Sequence, residues 1–503
     1  MKKKILLFIN LLVLLFAWQV SHIKQVAADD KIKVVTTFYP VYEFTKAVTG
    51  DSADVSMLIK AGTEPHDFEP STKNVATISD ADMFVYMDDS METWVKKVQK
   101  SINSDDLTVV KSTGDMLLMA GTAEEEEEGH EGHSHEYDPH VWLSPKRAVT
   151  LVENIRDAFV AKYPDKAETF KTNSAAYIEK LNDLDKKYSD ALSNAKQKSF
   201  VTQHAAFGYL ALDYGLNQIP ITGVSAESEP SAKRLASLTK YVKKYDIKYI
   251  YFEENASSKV AATLADEAGV KTAVLNPLES LTTKEIKAGE DYFTVMKDNL
   301  KALRLTTDVK GKEIKAETDD TKTVQHGYFK DKDVTDRKLT DWSGTWQSVY
   351  PYLLDGTLDE VWEYKADASK GEQTAQEVKD YYTTGYKTDV EKIIIDGKKN
   401  TVTFVQNGEE HKYTYKYVGY KILKYEKGNR GVRYLFEAKD DNAGDFKYIQ
   451  FSDHNISSTK AEHFHLFWGS TSQKAILKEM DNWPTYFPAS KSGQEIAQDL
   501  VAH

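Results

Sequence analysis

The first part of the chain alternates short apolar runs with amphipathic segments. Its predicted strands are Val34-Val35, Val55–Ile59 and Met83–Tyr86, and a helix is predicted over Val41–Val48, ending at Gly50. The alternation resumes later, with strands predicted at Ser199–Thr202, Tyr249–Phe252 and Thr272–Leu275. Strands alternating with helices are typical of an α/β fold with parallel sheets.

Between these two α/β parts lies a segment with apolar residues at every third or fourth position. The repeat extends from Tyr163 to Leu192 and predicts one long amphipathic helix. Pro164 suits the first helical position, and Asp165 and Glu168 lie where the helix dipole favours acidic side chains. We interpret this helix as a rigid strut between two lobes. A helix inside one ordinary domain fits the pattern equally well.

The pattern changes class after residues 306–324, which have the polar, charged composition of a linker. The following strands are rich in β-branched and aromatic residues and are predicted at Ile393–Ile395, Thr401–Val405, Lys412–Val418, Tyr434–Glu437 and Tyr448–Phe451. Turn signals separate them at Asp396-Gly397, Asn407-Gly408 and Gly428-Asn429. This pattern predicts a β-meander closing into a small barrel. A capping box from Ser492 to Glu495 predicts a last helix.

Residues 1–28 have the features of a secretion signal. Lys2, Lys3 and Lys4 form a positive start, and the apolar run Ile5–Ala17 is short for a membrane span. A small-residue cleavage site ends at Ala28, so we predict cleavage after this residue. An uncleaved N-terminal anchor is the alternative.

Composition restricts the partners and the metal ligands. The net charge of −13 becomes −17 once residues 1–28, with four lysines and no acids, are removed. Such an acidic chain disfavours nucleic acid as a partner and suits a protein that meets cations. The 503 residues include no cysteine, so any metal must be held by His, Asp or Glu. The length suggests at least two domains.

Three candidate metal ligands follow predicted strands of the α/β parts. His66 lies just beyond the strand Val55–Ile59, His204 follows Ser199–Thr202, and Glu279 follows the strand ending at Leu275. Because ligands in open α/β sheets bind beyond the carboxyl ends of strands, these side chains lie where a site is expected.

His140 is a fourth candidate, although it follows a loop and its position is less constrained by the pattern. Three imidazoles and one carboxylate would fill a tetrahedral zinc shell. Glu253 and Glu254 also end a predicted strand, so they compete with Glu279 for the role of carboxylate ligand.

An acidic and histidine-rich stretch precedes His140. The run Glu124–Glu128 is followed by His130, His133 and His135, a composition that cannot form a core and predicts a mobile loop. Five adjacent glutamates repel one another and are relieved by a cation, so we interpret the loop as a low-affinity metal collector. A plain solvated acidic loop is the alternative.

A second set of histidines lies near the end of the predicted barrel. His463 and His465 are two residues apart in the aromatic run 461–468, so an extended backbone would point both imidazoles to one face. His454 follows the apolar strand Tyr448–Phe451 and could supply a third nitrogen. Three converging histidines form a zinc-type ligand set. Three unrelated histidines in a half-buried strand are the alternative.

On these residues the chain resembles AdcA-type zinc-binding proteins of bacterial ABC importers. TTFYPVYEFTK, GTEPHDFEPS, DPHVWLSP, TQHAAFGYLALDYG and LNPLES are similar to motifs of ZnuA-type cluster A-I substrate-binding proteins. SDHN and KAEHFHLFWG are similar to ZinT, a calycin (lipocalin-like) β-barrel. The resemblance implies a first domain at 29–305, with lobes at about 29–145 and 199–305 joined by a rigid helix at about 163–197, then a linker at 306–324 and a barrel at 325–503.

The resemblance also implies ligands and a role. It implies that one zinc ion is held tightly by His66, His140, His204 and Glu279 and a second by His454, His463 and His465, with the histidine-rich loop helping recruitment. It implies that a monomeric extracellular protein captures Zn²⁺ and delivers it to an ABC permease, the second domain assisting when zinc is scarce. Manganese-binding relatives typically use two histidines and two carboxylates, so three histidines favour zinc.

One departure and two rival functions remain at this stage. Gram-positive members usually carry a lipid-bearing cysteine, which the chain lacks, so we expect either release or retention by the apolar N-terminal segment. A three-histidine zinc with an open position is also the pattern of hydrolases, in which Asp453 or Glu462 would be the nearest base. A surface adhesin with structural metals is the second rival.

Overall fold

A computed structural model of the chain describes residues 31–102, 106–121, 137–221, 232–253, 259–312, 324, 327–369, 371–425, 428–477 and 480–502. The predicted signal and the histidine-rich loop with His130, His133 and His135 lie outside the described residues, as does Glu254. Within the described part of the chain, no helix has the length and apolar character needed to cross a membrane.

The first lobe is a four-stranded parallel sheet in the order β2-β1-β3-β4. Its elements are β1 (Ile32–Thr36), α1 (Tyr39–Thr49), β2 (Ala53–Met57), α2 (Thr72–Ser79), β3 (Met83–Tyr86), α3 (Val95–Ser101) and β4 (Thr108–Lys111). Every residue of β3 is buried, as expected for a strand covered on both faces. The predicted α/β class is confirmed here, and β4 is a strand that the sequence pattern did not reveal.

Two long helices follow the first lobe. They are α4 (Pro145–Lys162) and α5 (Ala167–Leu192), joined by a short 3₁₀ turn and packed against each other. The long helix was predicted, but it begins four residues after 163 and ends five residues before 197. The prediction missed α4, although Pro145 at its start and the spacing of Leu151, Ile155 and Phe159 are typical of an amphipathic helix.

The second lobe repeats the architecture of the first. Its sheet has the order β6-β5-β7-β8, with all neighbouring strands parallel. Its elements are β5 (Ser199–Thr202), α6 (Gly208–Asp213), β6 (Asn217–Pro220), α7 (Ala232–Tyr245), β7 (Tyr249–Phe252), α8 (Lys259–Ala268), β8 (Lys271–Val274), α9 (Thr283–Ala288) and α10 (Tyr292–Thr307). The last two residues of α10, Thr306 and Thr307, are buried, so the predicted linker starts within a packed helix.

The C-terminal domain is a closed eight-stranded antiparallel barrel with helices at one side. Its elements are β9 (Gly344–Ser348), α11 (Tyr350–Leu354), α12 (Asp359–Ala368), α13 (Ala375–Tyr386), β10 (Val390–Asp396), β11 (Thr401–Gln406), β12 (Glu409–Lys424), β13 (Arg430–Ala438), β14 (Tyr448–Ser452), β15 (Phe464–Gly469), α14 (Gln473–Ile476), β16 (Thr485–Pro488) and α15 (Gly493–Ala502). The predicted barrel is confirmed, whereas α11–α13 and the closing strands β9 and β16 were not predicted.

Local chemistry explains the hairpins and the last helix. Asn407 and Gly408 have φ of 52° and 81°, the left-handed pair that joins β11 to β12 in a turn matching the strand twist. The Ser492 hydroxyl accepts the Glu495 N–H at 3.2 Å, and the Glu495 carboxylate accepts the Ser492 N–H at 2.7 Å. The predicted capping box therefore begins α15.

Candidate metal centres

Four side chains converge at the carboxyl ends of the two parallel sheets. His66 follows β2, His204 follows β5, Glu279 follows β8, and His140 lies directly before the first turn leading to α4. Glu279 Oε1 is 3.5 Å from His66 Nε2, 3.3 Å from His140 Nε2 and 3.2 Å from His204 Nε2. His140 Nε2 is 3.1 Å from His66 Nε2 and 3.4 Å from His204 Nε2. The structure thus brings together the four residues named from sequence.

These separations match a tetrahedral zinc shell. Ligands about 2.0–2.1 Å from a central ion define a regular tetrahedron with edges of about 3.3–3.4 Å. The five measured edges lie between 3.1 and 3.5 Å. The three imidazoles are fully buried and the Glu279 side chain is 6% exposed, so solvent has little access to the cluster.

Two buried carboxylates orient the imidazoles. Asp138 Oδ1 lies 2.7 Å from His140 Nδ1 and also accepts the His140 N–H at 2.9 Å. Glu253 Oε1 is hydrogen-bonded to His204 Nδ1. Because an ionised carboxylate can only accept, each Nδ1 donates, and in the neutral ring the Nε2 lone pair then faces the cluster. Lone pairs this close repel one another unless a proton or a metal ion lies between them. Imidazole nitrogens and a carboxylate oxygen that point at one centre are the donor set that zinc requires.

The segment that carries Glu279 is held by backbone contacts to α10. Asn299 accepts the Asn276 N–H at 2.8 Å and donates to the Asn276 carbonyl at 2.7 Å. The Asn276 side chain in turn accepts the Leu278 N–H at 2.8 Å, and Leu278 has φ of 56°, which is uncommon for a non-glycine residue. Strain of this kind persists where surrounding contacts fix the backbone, and here it precedes a candidate ligand.

Burial and charge shift the pKa values of the cluster in opposite directions. Burial lowers the pKa of His66 to about 4. Burial also opposes the charge on His204, but the Glu253 and Glu279 carboxylates raise its pKa well above the ordinary value. The pKa of His140 is raised as well, because hydrogen bonds to Asp138 and Glu279 outweigh burial.

The pKa of the Glu279 carboxylate is also shifted. Burial opposes its charge, yet His204 and the other two imidazoles hold the pKa of Glu279 well below its usual range. These directions favour the charged forms of Glu279, His140 and His204 when no metal ion is bound. A divalent cation that enters the cluster replaces the imidazole protons.

Of the competing acidic residues noted in the sequence, the structure describes Glu279 and Glu253. Glu279 lies inside the cluster, whereas Glu253 lies behind His204 and contacts its far nitrogen. The sequence prediction missed Asp138 as an orienting residue. Its signal is the Asp-Pro-His spacing, which places a carboxylate two residues before the imidazole that it contacts.

The three C-terminal histidines also converge. His454, His463 and His465 offer ligand atoms that all lie within 4.8 Å of one another, and their ring centroids are 5.5–5.9 Å apart. His465 is in β15, paired with Ser452 of β14, and His463 lies directly before β15. His454 is exposed and the other two are half-buried, so this cluster is open to solvent.

Neighbouring groups hold the second cluster. His465 Nδ1 is 2.8 Å from the hydroxyl of the buried Thr485, and the ring of His463 stacks on Phe487 with centroids 5.3 Å apart. Asp453 is buried in an ion pair, with Oδ1 2.5 Å from Arg337 Nη1.

The two domains match two described families. Residues 34–305 match the family described as ZnuA, "Zinc-uptake complex component A periplasmic". Residues 320–503 match the family described as ZinT (YodA), "periplasmic lipocalin-like zinc-recruitment". The chain is thus a two-lobed substrate-binding domain followed by a lipocalin-like domain.

Full-length relatives combine the same two domains. The chain is 67% identical to the "Zinc-binding protein AdcA" of Streptococcus pyogenes serotype M6 and 62% identical to the "Zinc-binding lipoprotein AdcA" of Streptococcus pneumoniae, each over the whole of both chains. The crystal structure of Zn(II)-bound AdcA from Streptococcus pneumoniae superposes with a TM-score of 0.82 and 62% identity, covering 94% of this chain and all of that one. The chain belongs to the AdcA family.

Proposed function

We propose that this protein captures extracellular Zn²⁺ and delivers it to an ABC permease for import. The observation that carries this proposal is the first cluster, in which three imidazole nitrogens and one carboxylate oxygen lie at tetrahedral spacing. Membership of a family whose named relatives bind zinc supports the same ion. In this role His66, His140, His204 and Glu279 are the tight ligands.

Four protein ligands favour binding over catalysis at this site. Catalytic zinc keeps a position for water or substrate, whereas four protein ligands fill the tetrahedron. The site is therefore suited to capture and release. The proposed location is outside the cytoplasm or at the cell surface, in line with the periplasmic and lipoprotein descriptions of relatives.

The second cluster is proposed to recruit zinc. Its three histidines, His454, His463 and His465, leave one tetrahedral position for water or a transient ligand, and their exposure gives zinc direct access. Ligand exchange is easier at such a site than in the closed cluster. We propose that this second binding site collects zinc when zinc is scarce, and that His130, His133 and His135 act as further collectors. We also propose that the protein is a monomer.

The proposed test is a competition titration of residues 29–503 with a chromophoric zinc chelator. We expect two zinc ions per chain, one tight and one weaker. His204→Ala should abolish the tight site and leave the weaker one, while the double variant His463→Ala/His465→Ala should do the reverse. Loss of both sites in either variant would refute the two-site assignment.

Functional assays distinguish the enzyme and adhesin hypotheses from zinc capture for import. An open three-histidine zinc could activate water, but Asp453, one of the two nearest acidic residues in sequence, is already paired with Arg337. An esterase or hydratase assay with and without chelator tests the remaining possibility. For the adhesin, loss of the gene should leave growth in zinc-poor medium unchanged, whereas zinc capture for import predicts a growth defect.

A further inference from the structure

A two-stranded ribbon connects the domain contact to the first metal centre. It consists of residues 117–120 and 137–140, which pair through an antiparallel bridge between Ala120 and Tyr137. The Asp138 N–H also donates to the Met119 carbonyl at 2.9 Å. His140 is the last residue of this ribbon, so a group that fixes the segment 117–120 also constrains His140.

The C-terminal domain holds the first segment of the ribbon by its backbone. The side-chain amide of Gln498, on α15, accepts the Leu118 N–H and donates to the Leu118 carbonyl, both at 2.7 Å. The hydroxyl of Tyr364, on α12, donates to the Leu117 carbonyl at 2.7 Å. An amide that satisfies both backbone groups of one residue takes the place of a neighbouring strand.

Apolar packing reinforces these hydrogen bonds. The Leu117 side chain is 1% exposed and belongs to the apolar cluster that α12 and α15 form, with Trp362 and Leu500 among its members. Burying a leucine side chain removes apolar surface from water and so favours the contact. The ribbon is therefore anchored in the C-terminal domain as well as hydrogen-bonded to it.

Tyr209 connects the anchored segment to the metal ligand's segment. Its hydroxyl accepts the Met119 N–H at 2.8 Å and donates to the Asp138 carbonyl at 2.7 Å. The Arg147 guanidinium lies between the rings of Tyr209 and Tyr364, with Cζ 4.9 and 4.7 Å from their centroids. Both tyrosines are thus positioned by one cation.

Arg147 is itself fixed and bridges the domains directly. It pairs with Asp213 through two nitrogens, each at 2.8 Å, and donates to the Tyr364 hydroxyl. At the other end of the ribbon, a Cβ added at Gly208 would lie 2.8 Å from Asp138 Oδ2. Glycine at this position leaves the room in which the Asp138 carboxylate contacts His140.

We propose that Tyr364 and Gln498 of the C-terminal domain are positioning residues for the first metal site, because they fix the ribbon that orients His140. This inference rests on the proposed binding of zinc at the first cluster. Since coupling between two events is reciprocal, docking of the C-terminal domain increases zinc affinity at the first site, and zinc binding there strengthens docking.

The test measures zinc release from the first site in the full mature chain. The parent carries His463→Ala and His465→Ala, so that only the first site contributes, and release into excess chelator is followed by stopped flow. Tyr364→Phe and Gln498→Leu should each speed release about five- to tenfold. Tyr381→Phe, on α13 of the same domain and 55% exposed, is the matched control and should release zinc at the parent rate.

A second readout separates positioning from general stability. In the parent, zinc should increase hydrogen–deuterium exchange protection of residues 115–120 and of α15, and His204→Ala should abolish this increase. Tyr364→Phe should weaken the zinc-dependent protection of both segments. Unchanged release rates and unchanged protection in Tyr364→Phe and Gln498→Leu would overturn the inference. A parent that binds no zinc would instead overturn the proposed function.

Discussion

Replacing Glu253 by glutamine tests whether this residue orients a ligand or binds the metal itself. Glu253 is 5% exposed and accepts a hydrogen bond from His204 Nδ1, the nitrogen that faces away from the cluster. The substitution keeps the size of the side chain and removes its charge. Loss of an outer-shell carboxylate typically weakens metal binding about 10–100-fold, equivalent to about 1.4–2.7 kcal/mol. We therefore expect one zinc still bound at the first site, with affinity reduced by that factor.

The pH dependence sharpens this prediction. The Glu253 charge is the largest of the influences that raise the pKa of His204, so the variant should have a lower His204 pKa in the metal-free state. Protons then compete less with zinc in the variant than in the natural chain. The ratio of the two affinities should be greatest at alkaline pH, where His204 is deprotonated in both, and should shrink as the pH falls toward about 6.5.

The assay is a competition titration at several pH values, with the second site removed by His463→Ala and His465→Ala. Glu267→Gln is the matched control, because Glu267 is an exposed glutamate on α8 of the same lobe. An unchanged affinity with an unchanged pH slope would show that Glu253 does not orient His204. Complete loss of the site, equal to that of His204→Ala, would make Glu253 a ligand.

Three further results are expected. The double variant His463→Ala/His465→Ala should keep tight zinc binding, but a strain that carries it should grow more slowly than the natural strain in zinc-depleted medium. Equal growth rates of the two strains would contradict the recruitment role. In the natural chain, zinc affinity at the first site should fall as the pH drops through the raised pKa values of His140 and His204. The decrease should reach up to about a hundredfold per pH unit when zinc displaces two protons. A pH-independent affinity, measured by titration, would contradict this. Asn299→Ala removes both bonds to Asn276 and should lower the free energy of unfolding by roughly 1–3 kcal/mol, measured by denaturant titration, and an unchanged value would refute the structural role of Asn299.

The sequence predicted the parts of the fold that have strong local signals. Strands such as Met83–Tyr86 and Ser199–Thr202 are short and rich in aromatic and β-branched residues, and the structure has them at the predicted bounds. The closing strands β9 and β16 escaped prediction because their identity depends on pairing with distant partners. A four-residue strand such as Thr485–Pro488, which ends in proline, carries little periodicity of its own.

The candidate site likewise has features that the sequence predicted and features that depend on contacts in the folded structure. The candidate ligands that follow strands were predictable because parallel sheets bring the carboxyl ends of strands together. The role of Asp138, by contrast, depends on the side-chain contact with His140 and on the space left by Gly208, neither of which a pattern of apolar residues encodes. Likewise, Tyr364 and Gln498 lie more than 200 residues from the ribbon that they contact.

The surroundings of the two clusters predict different zinc affinities. In the first cluster, the Asp138 and Glu253 carboxylates are hydrogen-bonded to His140 and His204, which increases the basicity of these imidazoles, and the Glu279 carboxylate is itself a candidate ligand. In the second cluster, His465 Nδ1 lies beside the hydroxyl of Thr485, and no carboxylate belongs to the described ligand set. Ligand number, ligand charge and burial therefore all favour tighter binding at the first cluster. Competition titration should rank the affinities in that order, and a tighter second site would contradict all three arguments at once.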